Sequence, residues 1–305
     1  MLNKGTRERL LKICESGASR VIFDEPLCEH STIAIGGKVL AWVRVSSPED
    51  LVGVNRALKS VGARSIVVGN CSNMLFPDSV LDAAILELTG EAFRKLDFDG
   101  GTACVGAGVM LADLISYCCD RGLSGMEGLV GIPATVGGAL ANNASYLSSV
   151  SDRLVSVRVL DRGLNAEWIE KEDIEFGYRY SSLKSEGTIL EAVFKLEEGD
   201  PAGLKQRLKK LFLDKKEKQP LGKKTLGCVF KNPDEGDITS GEIIDKAGMK
   251  GSRVGGAIVS VKHANFIENA GGASAADVCS LITKVKSTVK EKFEVELEPE
   301  IEIIK

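Results

Sequence analysis

The stretch KVLAWVRVSSPEDLVGVNRALKSVGARSIVVGNCSN, residues 38–73, decides the fold. KVLAWVRV at 38–45 has the β-branched and aromatic content of a strand. Ser47, with Asp50 three residues on, then opens a run whose apolar residues recur at helical spacing, so a capped helix is predicted there. SIVV follows as a short, wholly apolar strand and stops at a glycine turn, GNCSN. Strand, helix, strand in this order predicts a small α/β lobe.

Working outward, AAILEL at 83–88 and TACVGAG at 102–108 read as further strands. MLADLISYCCDRG reads as a helix stopped by Gly122, and MLNKGTRERLLKICESG at the start of the chain as an amphipathic helix. LSGMEGLVGIPATVGGALANNASY, residues 123–146, is glycine-rich with little periodicity, and a long irregular stretch inside a compact domain points to function. LVSVRVLD and TILEAVFKLE resemble antiparallel strands. At PAGLKQRLKKLFLDKKEKQP, residues 201–220, the character changes to a strongly basic helix and a polar link, which places a domain boundary near residue 200. The remainder holds GEIIDKAG, AIVSV, a helix over AADVCSLITKVKSTVKEKF and a terminal strand EVELEPEIEII, a second domain of α+β type. Along such a strand Glu298 and Glu300 share one face.

With 305 residues the chain is long enough for two or three packed lobes. A formal net charge of -4 gives no global positive field for nucleic acid. No apolar run approaches the roughly 20 residues of a membrane span, and the N-terminus lacks a secretory apolar segment, so a cytoplasmic protein is expected. Eight cysteines form no C-x-x-C pair and only two histidines are present, so neither a metal site nor a disulfide framework is expected. Most of these cysteines read as small buried apolar residues.

Two loops suggest a phosphate-bearing cofactor. Gly69-Asn70-Cys71-Ser72-Asn73 follows a strand directly, and Gly and Asn tolerate the positive φ at which successive N–H groups converge on an anion. Gly131-Ile132-Pro133-Ala134-Thr135-Val136-Gly137-Gly138 lets the backbone approach a ligand and adds a hydroxyl. Neither is a dinucleotide or P-loop fingerprint, and each taken alone is as well read as a structural turn.

In order along the chain, HSTIAIGG (30–37), VVGNCSNML (67–75), GAG (106–108), GLSGMEGLVGIPATVGGALANNA (122–144) and FGYRYSSLK (176–184) resemble the UDP-N-acetylenolpyruvoylglucosamine reductases. So do GCVFKNP (227–233), EIIDKAGMKG (242–251), GGAIVSVKHANFIEN (255–269) and LEPEIEII (297–304). The resemblance runs from about residue 20 to the end and is specific because so many short motifs keep their order. It implies an α+β protein: a vanillyl-alcohol-oxidase (PCMH-type) FAD-binding domain of two α/β lobes plus a C-terminal α+β substrate-binding domain. The expected extents are 1–200, with lobes about 20–82 and 83–200 after an N-terminal helix, and 201–305. The short interval between Arg179 and Cys228 resembles the compact subclass, which lacks a capping insertion.

The resemblance implies noncovalent FAD, NADPH as hydride donor and a small-molecule substrate, with no nucleic acid, membrane or obligate protein partner. It implies a reaction in two halves, a hydride passing from NADPH to FAD and then from FAD to the vinyl carbon of the enolpyruvyl ether. FAD would be held by Gly69, Asn70, Cys71, Ser72 and Asn73 on one side. Gly131, Ile132, Pro133, Thr135, Gly137, Gly138, Asn143 and Ala144 would line the other. Arg179 matches the family's carboxylate-binding arginine, Glu300 its terminal glutamate, and Cys228 the position where relatives usually carry a proton-donating serine. Tyr178, Asn232, Lys262 and His263 are expected at the substrate, and the basic stretch around Lys215 and Lys218 is a further diphosphate candidate. For these basic groups a solvated surface is an equally good reading.

This chain departs from the family pattern at Cys228, at Ala134, where glycine is usual, and at Ser145-Tyr146-Leu147, where a glycine-rich stretch is usual. Two alternatives stay open on sequence: another FAD oxidoreductase of the superfamily, and a non-catalytic flavin-binding descendant.

Overall fold

The computed structural model describes residues 4–15, 17–233 and 238–305. The chain folds as two compact units, each assembled from three segments. The first comprises Met1–Asp24, Leu40–Asn70 and Asp82–Leu213; the second Glu25–Val39, Cys71–Leu81 and Asp214–Lys305.

The first unit contains two sheets. In the four-stranded one the order is Arg20–Pro26, Lys38–Val45, Leu81–Leu88, Ser65–Val68, with the last two parallel. Helix Pro48–Lys59 makes the crossover from Lys38–Val45 toward Ser65–Val68, and Ser47 caps it by accepting from the Asp50 N–H at 3.1 Å. Helix Lys4–Glu15 packs on it. Within the sheet, Trp42 is fully buried and its indole N–H donates to Glu87 Oε2 at 2.9 Å, which satisfies the one polar atom that burial would otherwise strand. The five-stranded sheet is antiparallel throughout, in the order Ala166–Glu170, Leu154–Asp161, Gly187–Lys195, Thr102–Gly106, Leu96–Asp99. Helix Leu111–Asp120 turns its apolar face to the same core.

The second unit is an antiparallel sheet, Thr225–Cys228, Phe266–Asn269, Ala257–Val259, Arg253–Val254, with helices Ser240–Lys246 and Ala275–Phe293. The long helix has a full capping box at Ser274, and the Asp78 carboxylate accepts from the Ala275 and Ala276 N–H groups at 2.8 and 3.1 Å. A carboxylate at a helix N-terminus also opposes the macrodipole.

Four expectations change. A single cut near residue 200 is replaced by segments that interleave, because Ile33, Ile35 and Leu75 are buried in the core of the second unit. Each such burial contributes about 1.5–3 kcal/mol, enough to draw short segments away from their neighbours in sequence. Helix Pro201–Lys218, placed wholly after the boundary, begins in the first unit. Strand Leu81–Leu88 pairs in the first sheet, so a lobe boundary at 82 divides a strand. Finally, the terminal strand is broken up: Glu302–Ile303 pairs in parallel with Met74–Leu75, while Pro299 forms an isolated antiparallel bridge with Phe230. Pro299 has no N–H to give a ladder, and Glu294 takes a left-handed φ of 59° that ends the preceding helix.

Candidate functional site

In the first unit, strand Ser65–Val68 delivers Gly69 and Asn70 against the second glycine loop. Asn70 Nδ2 donates to the Pro133 carbonyl at 2.9 Å. A Cβ placed on Gly69 would lie 2.4 Å from Thr135 Oγ1, so any larger residue would displace the hydroxyl that caps the next helix. Thr135 caps a six-residue helix, Val136–Ala141, accepting from the Gly138 N–H at 3.2 Å. Sequence reading left this segment irregular, since Gly137 and Gly138 in the first turn depress helix propensity. Gly69, Asn70, Gly131, Ile132, Pro133, Thr135, Gly137 and Gly138 thus lie on two adjoining loops, with Asn143 and Ala144 just after the short helix.

The second loop rests on Glu127, which is buried yet accepts from the Gly125 N–H at 2.6 Å and the Ser124 hydroxyl at 3.1 Å. Burial alone would raise its pKa, but main-chain N–H groups of Glu127 and Gly125 together with Ser124 hold it below the usual carboxylate value. The folded pKa is depressed, so this stabilisation is present above the unfolded value of about 4.3 and lost as pH falls through the folded one. Glu127→Gln is expected to lower unfolding stability at pH 7 by about 1–3 kcal/mol. That difference should shrink on acidification. Denaturant unfolding at pH 7 and pH 3.5 checks it; a gap that stays constant removes the carboxylate as the cause.

Arg179 lies in the two-residue turn between Phe176–Gly177 and Tyr180–Ser181, where Gly177 pairs with Tyr180. Its φ is 55°, a left-handed value that favours Gly or Asn. A non-glycine residue held there costs about 1–3 kcal/mol, and such strain collects at functional positions. The guanidinium lies 5.2 Å from the Tyr178 ring centre. Nη1 donates to Ser145 Oγ at 2.5 Å and to the Ser145 carbonyl at 3.2 Å. Asn143 secures the other end of the turn, donating from Nδ2 to the Gly177 carbonyl at 2.9 Å. Its own φ is 43°, and its Oδ1 is buried with no hydrogen-bond partner among the described residues. Sequence reading missed Ser145; the only signal was its departure from glycine.

In the second unit, Cys71 is buried at a φ of 47°, and Ser72 lies in the turn after it. Asn73 Nδ2 donates to the Glu300 carbonyl at 3.2 Å, while the Glu302 N–H donates to the Asn73 carbonyl at 2.8 Å. Asn73 therefore also fixes the segment carrying Glu300. Cys228 ends strand Thr225–Cys228, and the Glu300 N–H donates to the next carbonyl, Val229, at 2.7 Å. That pairing brings the backbones of Cys228 and Glu300 together. Asn265, fully buried and also missed by sequence reading, exchanges two side-chain hydrogen bonds with Phe230, at 2.9 and 2.8 Å. Glu298 is exposed and occupied by Lys231 Nζ at 2.6 Å, whereas Glu300 is half-buried, which separates the two glutamates. Asn232 Oδ1 accepts from the Ser240 N–H at 3.1 Å.

Lys262 and His263 already have local partners. Lys262 Nζ donates to the Lys216 carbonyl at 2.6 Å, in the last turn of helix Pro201–Lys218, and Lys215 is buried, whereas Lys218 is exposed. His263 packs edge-on against Phe266 at 4.9 Å and its Nδ1 accepts from the Asn265 N–H at 3.3 Å. Burial first, then the charge of Lys250, pushes the imidazole below its ordinary pKa, so it is neutral at pH 7 and a weak partner for a diphosphate.

The family description "UDP-N-acetylenolpyruvoylglucosamine reductase, C-terminal domain" matches residues 219–304, and "FAD binding domain" matches 39–163. The reductase of that name from Bacillus subtilis is 36% identical over 293 residues, 95% of this chain and 96% of its own. That from Caldicellulosiruptor bescii is 40% identical over 285 residues, 92% of this chain and 90% of its own. The chain belongs to the UDP-N-acetylenolpyruvoylglucosamine reductase family. The crystal structure of the reductase from Thermus caldophilus superposes with a TM-score of 0.80 at 34% identity, covering 94% of this chain and 99% of that one. A glucose dehydrogenase structure, at TM-score 0.50 and 14% identity over 65% of this chain and 45% of that one, shares the fold alone. Membership in the reductase family makes the chain an FAD-dependent oxidoreductase of α+β fold with a PCMH-type FAD-binding domain. One feature of the first unit's loops suits that cofactor: the buried Oδ1 of Asn143, without a hydrogen-bond partner among the described residues, could accept from a donor of the kind a flavin's imide and ribityl hydroxyls carry. Among the described residues no helix is long and apolar enough to cross a membrane.

Proposed function

We propose that this chain reduces UDP-N-acetylenolpyruvoylglucosamine to UDP-N-acetylmuramate with NADPH, in the cytoplasm, as a step of peptidoglycan synthesis. The observation that carries the reading is Arg179, held at a strained φ of 55° with its guanidinium docked on Ser145. A planar, permanently charged fork fixed in this way suits a substrate carboxylate better than a lysine does. The name of the relatives supplies the substrate.

The candidates at 69–73 and 131–144 would hold FAD by main-chain N–H groups and short polar side chains; bound FAD supplies a two-electron carrier between NADPH and the enolpyruvyl double bond. Arg179 grips the carboxylate and stabilises the negative charge that spreads into it as hydride adds at the terminal carbon. Glu300 assists that polarisation, and Cys228 delivers a proton to the carbon beside the carboxylate. Tyr178 and Asn232 position the substrate. Lys262, His263, Lys215 and Lys218 are further candidates for the substrate diphosphate; Lys262 and His263 also hold the local structure, and Lys215 is buried.

Purified protein is expected to be yellow, to release FAD on denaturation, and to oxidise NADPH only when the enolpyruvyl nucleotide is added. Colourless protein that FAD does not reconstitute would falsify the cofactor assignment. NADPH oxidation indifferent to that nucleotide would remove the substrate.

A further inference from the structure

We propose that Ser145 is a positioning residue for the carboxylate fork, a role that rests on the reading of Arg179 given above. Arginine side chains carry about 2 kcal/mol of rotamer entropy, and a half-buried one on a turn spends that freedom only against fixed partners. Here one residue supplies two such partners: Nη1 meets the Ser145 hydroxyl at 2.5 Å and its carbonyl at 3.2 Å. Ser145 is itself anchored. It bridges Ser149 across a tight loop, the Leu147 N–H donates to Gly128 at 3.0 Å, and Ser149 closes a capping box with Asp152. Ala144, one residue earlier, donates to the Ala139 carbonyl at 2.8 Å, so the short helix after Thr135 continues into the serine without slack. The root of the arginine is fixed by its turn and its tip by Ser145, so the fork is oriented before substrate arrives. Binding energy that would have gone into ordering the side chain is then available to the developing charge.

Ser145→Ala keeps the carbonyl contact and deletes the hydroxyl; Ser145→Thr keeps both. Single-turnover measurements separate NADPH-driven flavin reduction from flavin reoxidation by the enolpyruvyl nucleotide. Ser145→Ala is expected to slow reoxidation roughly tenfold or more, the range for losing a hydrogen bond to a charged group, with reduction and flavin content unchanged. In the steady state kcat falls more than KM rises. Ser145→Thr returns the rate to within about threefold of the parent. In an Arg179→Ala background, Ser145→Ala adds nothing further, since the group it positions is gone. If Ser145→Ala matches the parent while Arg179→Ala is slow, the positioning role is overturned and the reading of Arg179 stands. Equal slowing of both halves, or loss of flavin, shows a purely structural serine and also overturns it. If Arg179→Ala itself reoxidises at the parental rate, the carboxylate reading has failed, and the proposal with it.

Discussion

Arg179→Ala is expected to leave flavin reduction by NADPH near the parental rate and to slow reoxidation by the enolpyruvyl nucleotide by two to three orders of magnitude. The asymmetry follows from charge. Reduction places no new negative charge on a carboxylate, whereas hydride addition to the enolpyruvyl group does. Removing one preorganised contact to such charge costs about 3–4 kcal/mol. Arg179→Lys keeps the charge but loses the planar fork that can meet Ser145 through one nitrogen and a carboxylate through the others, so it should recover only part of the rate. Stopped-flow measurement of the two halves decides the matter. Equal slowing of both, or of neither, removes the role assigned to this side chain.

Cys228→Ala should fail in the same half and for a different reason. The carbon beside the carboxylate must receive a proton, and a positioned acid contributes typically about 10²–10⁴-fold. The thiol occupies a defined place: it ends a strand after Gly227, at a φ of 80°, and the residues beyond it are clamped by Asn265 and by the Glu300 N–H. Thiol and hydroxyl each carry a proton, so Cys228→Ser should retain substantial turnover. They differ in acidity. A thiol ionises where an alcohol does not, and a thiolate has no proton to give, so parental activity should fall on the alkaline side and the serine variant should carry that limb to higher pH. Cys228→Ala that turns over like the parent across the pH range would assign the proton to another group.

What could be read from sequence was local. The Ser47–Asp50 cap, the strand before Gly69 and the helix at 275–293 are each fixed by residues a few positions apart. The resemblance singled out the loops and Arg179 because motifs keep their order, yet it gave no hint that Arg179 takes a positive φ, since Tyr-Arg-Tyr carries no turn signal. Ser145 was visible only as a departure, because its partner lies 34 residues along the chain. The alternating glutamates at 298 and 300 looked like part of a strand, but alternation cannot reveal that Pro299 faces Phe230 across an isolated bridge. The interleaving of the two units was illegible for a stronger reason. Ile33 and Leu75 read as ordinary apolar residues, and the core that takes them is mostly encoded after residue 225.

That interleaving bears on how the chain can be made. The path crosses between units five times, at residues 24/25, 39/40, 70/71, 81/82 and 213/214. A ribosome that has released the first 200 residues has therefore produced two pieces of the second unit and none of the sheet that buries them. Until the last third of the chain emerges, Ile33, Ile35 and Leu75 face water or a chaperone, and their contacts close loops of roughly two hundred residues, a slow and aggregation-exposed step. The glycine turn at 69–73, which bears the cofactor candidates, spans one of these crossings, so its second half takes its native surroundings only when Glu300 and Glu302 arrive to pair with Asn73. Completion of that turn is thereby tied to completion of the polypeptide, and a truncated product is left without it.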